Sequence, residues 1–317
     1  MNIVALDNLG IDKEKVLNFA KPFINLGHTF TYYDTGFKNE EDRINACKNA
    51  DIIIITNSKF DKKIINECKH LKMISVGFTG IDHIDLNACK EKNIKISNSS
   101  GYATESTAEM TIALMLACLR NIVPLHNITK NSENIPKLKH NTLNGKTIGI
   151  IGTGAIGLRV AQILKIFNCN LIAYSRSENQ EAKKMGIIYK SLDNVLKESD
   201  ILTIHTPLNN ETKNLINSEN ISKMKKTAIL INCARGGIVD SKSLAEALNN
   251  NKILGAGIDV FEMEPPLSKE HPLLNAKNII LTPHIGYISE ESFENRVKIV
   301  FENIHNFLEN NITNIKL

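Results

Sequence analysis

The chain has 317 residues, of which 42% are hydrophobic and 23% are charged, so it is long enough for two domains with substantial cores. The formal net charge is +4 and there is no basic cluster, which argues against a nucleic-acid partner. Six scattered cysteines form no C-x-x-C pair, which favours reduced thiols in a cytoplasmic protein over a disulfide framework or a metal site. Residues 1–10 begin a strand instead of a signal peptide. The most apolar stretch, 111–119, is too short to cross a membrane.

The first hundred residues alternate between strands and helices. Strands are predicted at 2–6, 29–33, 51–56 and 73–76, and helices at 13–25, 40–49 and 62–69. Apolar strands in such an alternation predict a parallel, doubly wound sheet. Ligands of such sheets bind beyond the carboxyl ends of the strands, so residues 77–82 form a candidate substrate loop.

The pattern breaks at residues 98–102. A long helix is predicted at 104–119, and its apolar positions spread around much of its circumference. Residues 127–145 are polar, contain Pro136 and lack periodicity, which predicts a surface loop.

A glycine motif follows this segment. Gly152-x-Gly154-x-x-Gly157 comes directly after a predicted apolar strand at 147–151 and opens a predicted helix at 155–167, with a second strand at 170–174. The first glycine permits a tight turn, the second a close approach of the backbone to a pyrophosphate, and the third the packing of helix on strand. The free N–H groups of the helix would bind the phosphates. This context predicts a dinucleotide site that includes Ala155 and Ile156.

Further strands are predicted at 201–205, 228–232, 255–258 and 278–281, with helices at 180–185, 192–198, 241–249 and 290–308. Arg235, Asp259 and His284 follow successive strands, and Glu264 lies in a proline-stiffened loop after Asp259. Each residue alone has an ordinary structural explanation, as a cap, a surface ion pair or a solvated charge. Together, at one edge of a dinucleotide-binding sheet, they predict an active site.

The chemistry of these side chains suits a 2-oxo acid. Arg235 offers two parallel donors to a carboxylate. His284 is a proton donor for a carbonyl that becomes an alcohol. Glu264 beside it would orient the imidazole and stabilise its charged form.

The sequence resembles the D-isomer-specific 2-hydroxyacid dehydrogenase family over essentially its whole length. Seven motifs carry the resemblance, in the family's order: GFTGIDHID, GYATESTAE, GKTIGIIGTGAIG, HTPLNNETKNLIN, NCARGGIVD, GAGIDVFEMEP and HPLLNAKNIILTPHIG. The resemblance implies a hydride transfer between a nicotinamide and C2 of the substrate, with His284 as general acid and base, Glu264 as its partner, and Arg235 binding and polarising the 2-oxo acid. GYATESTAE is similar to the glyoxylate/hydroxypyruvate reductase branch.

The resemblance also implies further site residues. Thr79 and Gly80 lie where the family's substrate-loop amides hold the carboxylate. The other positions match cofactor-lining residues of the family: Thr107, His205, Thr206, Pro207, Cys233, Ala234, Asp259 and Gly286.

The resemblance implies an α/β architecture of two doubly wound parallel-sheet domains. A Rossmann dinucleotide-binding domain, residues 101–287, is expected to be inserted in a flavodoxin-like substrate domain of residues 1–100 and 288–317. A homodimer is implied as well, formed through the dinucleotide domain and the helix at 104–119. The implied partner molecules are a small 2-oxo or 2-hydroxy acid and the dinucleotide.

One departure from the family pattern concerns the cofactor. An acidic residue about 20 positions after the glycines usually bonds the ribose hydroxyls of NAD. This chain has Ser175 there, followed by Arg176. Without the carboxylate nothing repels a 2′-phosphate, and Arg176 can pair with it, so NADP(H) is expected over NAD(H). Arg also follows the acid in NAD-binding relatives, where it stacks on adenine.

Two other functions stay open. A phosphoglycerate dehydrogenase would lack its regulatory domain here, and residues 77–82 contain no Arg or Lys for a phosphate. A dinucleotide-sensing corepressor of the same fold would bind partner proteins instead of turning over a substrate. A formate dehydrogenase is disfavoured because Ala103 stands where that branch has an Asn.

Overall fold

The structure, a computed structural model, describes residues 1–137, 140–311 and 317. The chain forms two compact units. Unit 1 comprises Met1–Ala103 and Ile288–Leu317, and unit 2 comprises Thr104–Tyr287. Unit 2 is thus inserted in the chain of unit 1.

Unit 1 is a five-stranded parallel sheet with helices. Its strands are β1 Asn2–Ala5, β2 Thr29–Tyr32, β3 Ile52–Ile55, β4 Met73–Val76 and β5 Lys95–Asn98. Its helices are α1 Lys13–Asn25, α2 Glu40–Cys47, α3 Lys62–Glu67, α4 Leu86–Glu91 and, near the end of the chain, α12 Glu290–Leu308. The strand order is β2-β1-β3-β4-β5, with every pair parallel.

The central strands β3 and β4 of unit 1 are buried on both faces because helices cover both faces of the sheet. The four successive isoleucines of β3 are fully buried, and alternate ones enter different hydrophobic clusters. Ile53 and Ile55 pack on one side of the sheet, whereas Ile52 and Ile54 pack on the side covered by α1 and α12. Side chains of a strand alternate between its two faces, and here both faces are apolar because both are buried.

Unit 2 is a seven-stranded parallel sheet with helices. Its strands are β6 Thr147–Ile151, β7 Asn170–Tyr174, β8 Ile188–Tyr189, β9 Ile201–Ile204, β10 Ile229–Asn232, β11 Gly255–Ile258 and β12 Ile279–Leu281. Its α-helices are α5 Thr104–Arg120, α6 Ile122–Lys130, α7 Ala155–Ile166, α8 Gln180–Lys184, α9 Leu192–Glu198, α10 Ser218–Ser222 and α11 Ser241–Asn249. The strand order is β12-β11-β10-β9-β6-β7-β8.

The predicted fold class, two doubly wound parallel sheets, is confirmed. The short elements α4, β5, β8 and α10 were not predicted from the sequence. The predicted loop at 127–145 is wrong at its start, because α6 continues to Lys130. Its Pro124 lies in the first turn, where a missing N–H costs nothing, and none of the residues of the helix is buried. Leu138 and Lys139 of that predicted loop lie outside the described residues.

Among the described residues, no helix is by itself long and apolar enough to cross a membrane, although α5 and α6, bent by 61°, pass a test of length and composition as a pair.

Candidate active site

The glycine loop after β6 has the backbone conformation that its sequence demands. Gly152 has a φ of +93°, and a Cβ there would lie 2.5 Å from the backbone oxygen of His205. A Cβ on Gly157 would lie 2.1 Å from the oxygen of Gly152, so the close packing of α7 on the loop excludes any side chain. At Gly154, the N-cap of α7, a Cβ would meet nothing within 4 Å. The loop therefore has an open, side-chain-free face at the N-terminus of a 12-residue helix.

This cradle is suited to a nicotinamide dinucleotide. The N-cap Gly154 has no side chain that could bond the first N–H groups of α7, so they remain for an anion together with the positive end of the helix dipole. Ala155 and Ile156 form the first turn of the helix. These groups would hold the pyrophosphate.

A hydrogen-bond network ties the glycine loop to the segment after β7. The Tyr189 hydroxyl lies 2.7 Å from Thr153 Oγ1 and accepts a hydrogen bond from the Asn179 N–H at 2.8 Å. Asn179 Nδ2 also donates to the backbone oxygen of Thr153 at 3.0 Å. Ser175 and Arg176 lie in this segment, directly after β7. The network joins the segment that carries them to the glycine loop.

His205, Thr206 and Pro207 follow β9, on the other side of β6. His205 Nε2 lies 2.9 Å from Thr203 Oγ1. Desolvation lowers the pKa of His205 to about 3, so the ring is neutral at physiological pH. His205 is therefore part of the wall beside the glycine loop and is no proton donor at that pH.

The predicted pair of His284 and Glu264 is brought together. His284 Nδ1 lies 2.9 Å from Glu264 Oε2 and 3.0 Å from Oε1. The imidazole is 17% exposed and the carboxylate 66% exposed. The Tyr287 ring packs edge-on against the imidazole, with the ring centres 5.1 Å apart. The pair thus fixes the orientation of an imidazole that remains accessible.

Asp259 holds the turn that carries His284. Its buried carboxylate accepts hydrogen bonds from Thr282 Oγ1 at 2.6 Å, from the Ile285 N–H at 2.9 Å and from the Gly286 N–H at 2.8 Å. The sequence predicts Asp259 as a cofactor residue. The structure shows in addition that its carboxylate joins the end of β11 to the turn after β12.

Thr107 reaches the same turn from α5. Its Oγ1 donates to the backbone oxygen of Gly286 at 3.2 Å. A Cβ on Gly286 would lie 2.9 Å from Asp259 Oδ2 and 3.8 Å from Thr107 Cγ2. Thr107, Asp259 and Gly286, three of the predicted cofactor residues, therefore lie together around the His284 turn.

Arg235 lies in the turn after β10, which Asn232 organises. The buried Asn232 accepts a hydrogen bond from the Ala234 N–H and donates one to the backbone oxygen of Arg235, both at 3.0 Å. A Cβ on Gly236 would lie 1.8 Å from the backbone carbon of Phe261, so the turns after β10 and β11 are in backbone contact. The contact brings the turn of Arg235 against the segment that continues to Glu264.

Cys233 begins the same turn and is buried. Burial raises the pKa of its thiol to about 12, and the negative charge of Asp259 adds to the increase. The side chain is therefore a neutral thiol that lines the turn at physiological pH.

The predicted substrate loop is in unit 1, after β4. Thr79 is exposed, and its backbone oxygen accepts a hydrogen bond from Asn98 Nδ2 at 2.6 Å. The Ser99 N–H donates to the oxygen of Phe78 at 3.0 Å, and the Gly77 N–H to that of Ile55 at 2.7 Å. The ends of β3 and β5 thus hold the loop that contains Thr79 and Gly80.

Sequence reasoning did not find Arg296 of α12, which lies against this loop. It is 4% exposed, and its guanidinium carbon lies 5.9 Å from the ring centres of both Phe78 and Tyr102 and 4.5 Å from that of Phe293. A Cβ on Gly77 would lie 3.4 Å from Arg296 Cδ. No motif marks this residue, because more than 200 positions separate it from the loop.

Comparison with known proteins identifies the family. The profile described as D-isomer specific 2-hydroxyacid dehydrogenase, NAD binding domain, matches residues 112–286. The glyoxylate reductase of Aeropyrum pernix is 41% identical over 228 residues, which cover 69% of this chain and 68% of that protein. The D-3-phosphoglycerate dehydrogenase of Methanocaldococcus jannaschii is 39% identical over 278 residues, which cover 86% of this chain and about half (52%) of that protein.

The fold agrees with a solved structure as well. An acyclic imino acid reductase (Bsp5) in complex with NADPH and D-Arg superposes with a TM-score of 0.89 at 30% identity, over 100% of both chains. Together with the glycine cradle, these similarities assign the chain: it belongs to the family of D-isomer specific 2-hydroxyacid dehydrogenases and is an NAD(P)-dependent oxidoreductase.

Proposed function

We propose that the protein reduces small 2-oxo acids, foremost glyoxylate and hydroxypyruvate, to D-2-hydroxy acids, with NADPH preferred over NADH. The observation that carries the proposal is the 2.9 Å hydrogen bond between His284 and Glu264 on the same sheet as the glycine cradle. The glyoxylate reductase relative and the GYATESTAE segment support the choice of substrate.

His284 delivers the proton through Nε2. Glu264 accepts a hydrogen bond from Nδ1–H of the imidazole. After Nε2 has lost its proton, the ring keeps the proton on Nδ1, and this hydrogen bond stabilises that tautomer. The carboxylate also stabilises the imidazolium that precedes it. Reduction adds a hydride to C2 and this proton to the carbonyl oxygen, which yields the alcohol. In the reverse direction Nε2 accepts the proton.

Arg235 binds the substrate carboxylate and polarises the adjacent carbonyl. A guanidinium makes two parallel hydrogen bonds to a carboxylate and keeps its charge at all relevant pH values. Thr79 and Gly80 of the substrate loop are proposed as substrate-binding residues of unit 1, on the resemblance of that loop to the family. A bound nicotinamide dinucleotide supplies the hydride, and the glycine cradle would hold its pyrophosphate.

The preference for NADPH rests on Ser175 and Arg176. Ser175 directly follows β7 and brings no negative charge to the place where a 2′-phosphate would be bound. The side chain of Arg176 is 84% exposed, and a guanidinium pairs well with a phosphate. The imino acid reductase of the same fold was solved with NADPH.

A second candidate is reduction of a phosphorylated 2-oxo acid, as the similarity to a phosphoglycerate dehydrogenase suggests. The observation that favours it is the buried Arg296, whose guanidinium packs on Phe78 of the substrate loop. It supplies a positive charge that residues 77–82 lack.

The test is the loss of reduced-nicotinamide absorbance with NADPH and NADH in parallel. The substrates are glyoxylate, hydroxypyruvate, pyruvate, longer 2-oxo acids and 3-phosphohydroxypyruvate. We expect the highest kcat/KM with NADPH and either glyoxylate or hydroxypyruvate. A higher value with the phosphorylated substrate would support the second candidate. A higher kcat/KM with NADH would contradict the preference for NADPH. If no substrate is turned over although the dinucleotide binds, the alternative of a dinucleotide-sensing corepressor would be favoured.

A further inference from the structure

Two charged residues approach each other across the carboxyl end of β6. In the sheet order, β6 lies between β9 and β7. Arg176 follows β7, and Glu211 lies in the loop after β9. Arg176 Nη1 and Glu211 Oε2 are 4.0 Å apart. The ion pair therefore joins the two strand ends that flank the glycine loop.

The backbone that carries Glu211 is held by a local network. The side-chain oxygen of Asn209 accepts hydrogen bonds from the N–H groups of Glu211 at 2.9 Å and Thr212 at 3.0 Å. Thr212 Oγ1 donates to the backbone oxygen of Pro207 at 2.6 Å. This turn places the carboxylate of Glu211 even though its side chain is 73% exposed.

The backbone on both sides of Arg176 is held as well. Before it, β7 pairs with β6 as far as Tyr174. After it, Asn179 and Tyr189 are hydrogen-bonded to Thr153 of the glycine loop. Both partners of the ion pair thus project from ordered turns. A carboxylate is absent at Ser175, but Glu211 brings one toward the same arginine from the loop after β9, on the other side of β6.

We propose that Glu211 is a positioning residue for cofactor selection: it holds the guanidinium of Arg176 and thereby lowers the affinity for dinucleotides that carry a 2′-phosphate. The proposal deepens the proposed function, since it concerns the residue on which the NADPH preference rests. A guanidinium paired with Glu211 must exchange that partner for the phosphate, and the carboxylate repels the phosphate. Both effects disfavour NADPH and leave NADH, which has no 2′-phosphate, nearly unaffected.

The expected effect is moderate because both side chains are exposed. Exposed ion pairs contribute up to about 1 kcal/mol, which corresponds to a change of about fivefold in an equilibrium constant. In E211Q we therefore expect about a three- to fivefold increase in selectivity for the 2′-phosphate.

The experiment measures binding by calorimetry and needs no turnover. The probes are adenosine 2′,5′-bisphosphate and adenosine 5′-monophosphate, which differ only in the 2′-phosphate. For E211Q we expect a lower Kd for the bisphosphate and an unchanged Kd for the monophosphate. E219Q is the matched control, because Glu219 is an exposed carboxylate of unit 2 that pairs with Lys223. We expect no change of either Kd in E219Q.

A second comparison tests whether Glu211 acts through Arg176. In the R176A background, we expect E211Q to change the ratio of the two Kd values by much less than in the wild type. An unchanged ratio in E211Q alone would overturn the proposal. So would an equal change of both Kd values, which would show a purely structural role, or an undiminished effect in the R176A background.

The same data separate this proposal from the NADPH preference. If the wild type binds the bisphosphate no tighter than the monophosphate, the preference fails. An increased ratio in E211Q would still support the role of Glu211.

Discussion

His284 occupies a backbone conformation that side-chain-bearing residues rarely adopt. Its φ is +56°, in the left-handed region. The His284 N–H donates to the backbone oxygens of Asp259 at 2.8 Å and Thr282 at 3.0 Å, so the turn holds the residue there. Such a conformation costs on the order of 1 kcal/mol or more and persists where its surroundings over-determine it. The imidazole is therefore aimed by the main chain as well as by Glu264.

Replacing His284 should remove proton transfer without removing the cofactor site. We choose His284→Asn because asparagine tolerates the left-handed region better than alanine does. We expect kcat for 2-oxo acid reduction to fall by at least about 100-fold. The Kd for the dinucleotide, measured by fluorescence, should stay within about threefold of the wild type. Turnover close to wild type would mean that another group supplies the proton.

Glu264→Gln keeps the shape of the side chain and removes its charge. A hydrogen bond to a charged group is worth about 1.5–3 kcal/mol, so we expect kcat to fall by about 10- to 100-fold. Glu270→Gln is the control, because Glu270 is an exposed residue six positions later whose carboxylate accepts a hydrogen bond from Ser268 Oγ. Equal activities of the two variants would contradict the role of Glu264.

Among individual residues, the sequence predicts the site residues that directly follow strands. His284 and Glu264 were predicted as a pair, and the structure joins them. Asn232 and Glu211 were missed, because their roles arise from contacts within loops and between neighbouring strand ends. The role of Asp259 in holding the His284 turn was likewise invisible in the sequence.

In the turn between β6 and α7, the glycines have different roles: Gly157 permits close packing, and Gly154 leaves room for the dinucleotide. Gly157→Ala should prevent normal folding of unit 2, because its Cβ would meet backbone at 2.1 Å. Gly154→Ala should fold normally, since nothing lies within 4 Å, yet bind dinucleotide at least about tenfold more weakly because the methyl group enters the open face. Thermal unfolding and calorimetry measure the two effects. Equal stability of both variants would refute this division of tasks.

The end of β9 should make unit 2 sensitive to acid. The pKa of His205 is lowered from 6.5 to about 3, so between these values the unfolded chain binds a proton that the folded chain does not. Stability therefore decreases as pH falls through this window, by up to about 1.4 kcal/mol per pH unit. Urea unfolding at pH 7 and pH 5 should show a smaller decrease for His205→Gln than for the wild type. The exposed His140 provides the control variant, His140→Gln, which should behave as the wild type does.

Among the elements, long apolar or amphipathic segments were predicted within one or two residues, as in α1, β6, α11 and α12. Helix α6 was missed because it contains Pro124 and is rich in β-branched residues, which have low helix propensity. Strand β8 was missed because it has only two residues and is defined by its pairing with β7, in which Ile188 lies beside Ile172.

At the scale of the whole molecule, the core of unit 1 depends on the last helix. Phe301 of α12 lies within 6 Å, between ring centres, of Phe19, Phe23 and Phe30. Ser75 Oγ of β4 donates to the backbone oxygen of Val300 at 3.1 Å, and Asn303 Nδ2 to that of Asn98 at 3.0 Å. The helix therefore completes a sheet whose strands lie more than 200 residues earlier in the chain.

Phe301→Ala should destabilise unit 1 by about 3–5 kcal/mol, since it empties a buried aromatic site. We expect an earlier unfolding transition in calorimetry and an unchanged dinucleotide Kd, because the glycine cradle lies in unit 2. Phe167→Ala, at a half-exposed position of unit 2, is the control and should cost much less. A loss of dinucleotide binding in Phe301→Ala would contradict the independence of the two cores.

The insertion of unit 2 also sets an order of events during protein synthesis. The ribosome must produce the 184 residues from 104 to 287 after it has completed β5 and before it begins α12. At about 5–20 residues per second, this takes about 10–40 s. Throughout this interval Ile52 and Ile54 of β3 lack α12, one of the two helices that cover them, whereas the inserted unit has its whole sequence by the end of the interval. The newborn chain is therefore expected to need protection at its beginning, and unit 1 is expected to reach the native state last.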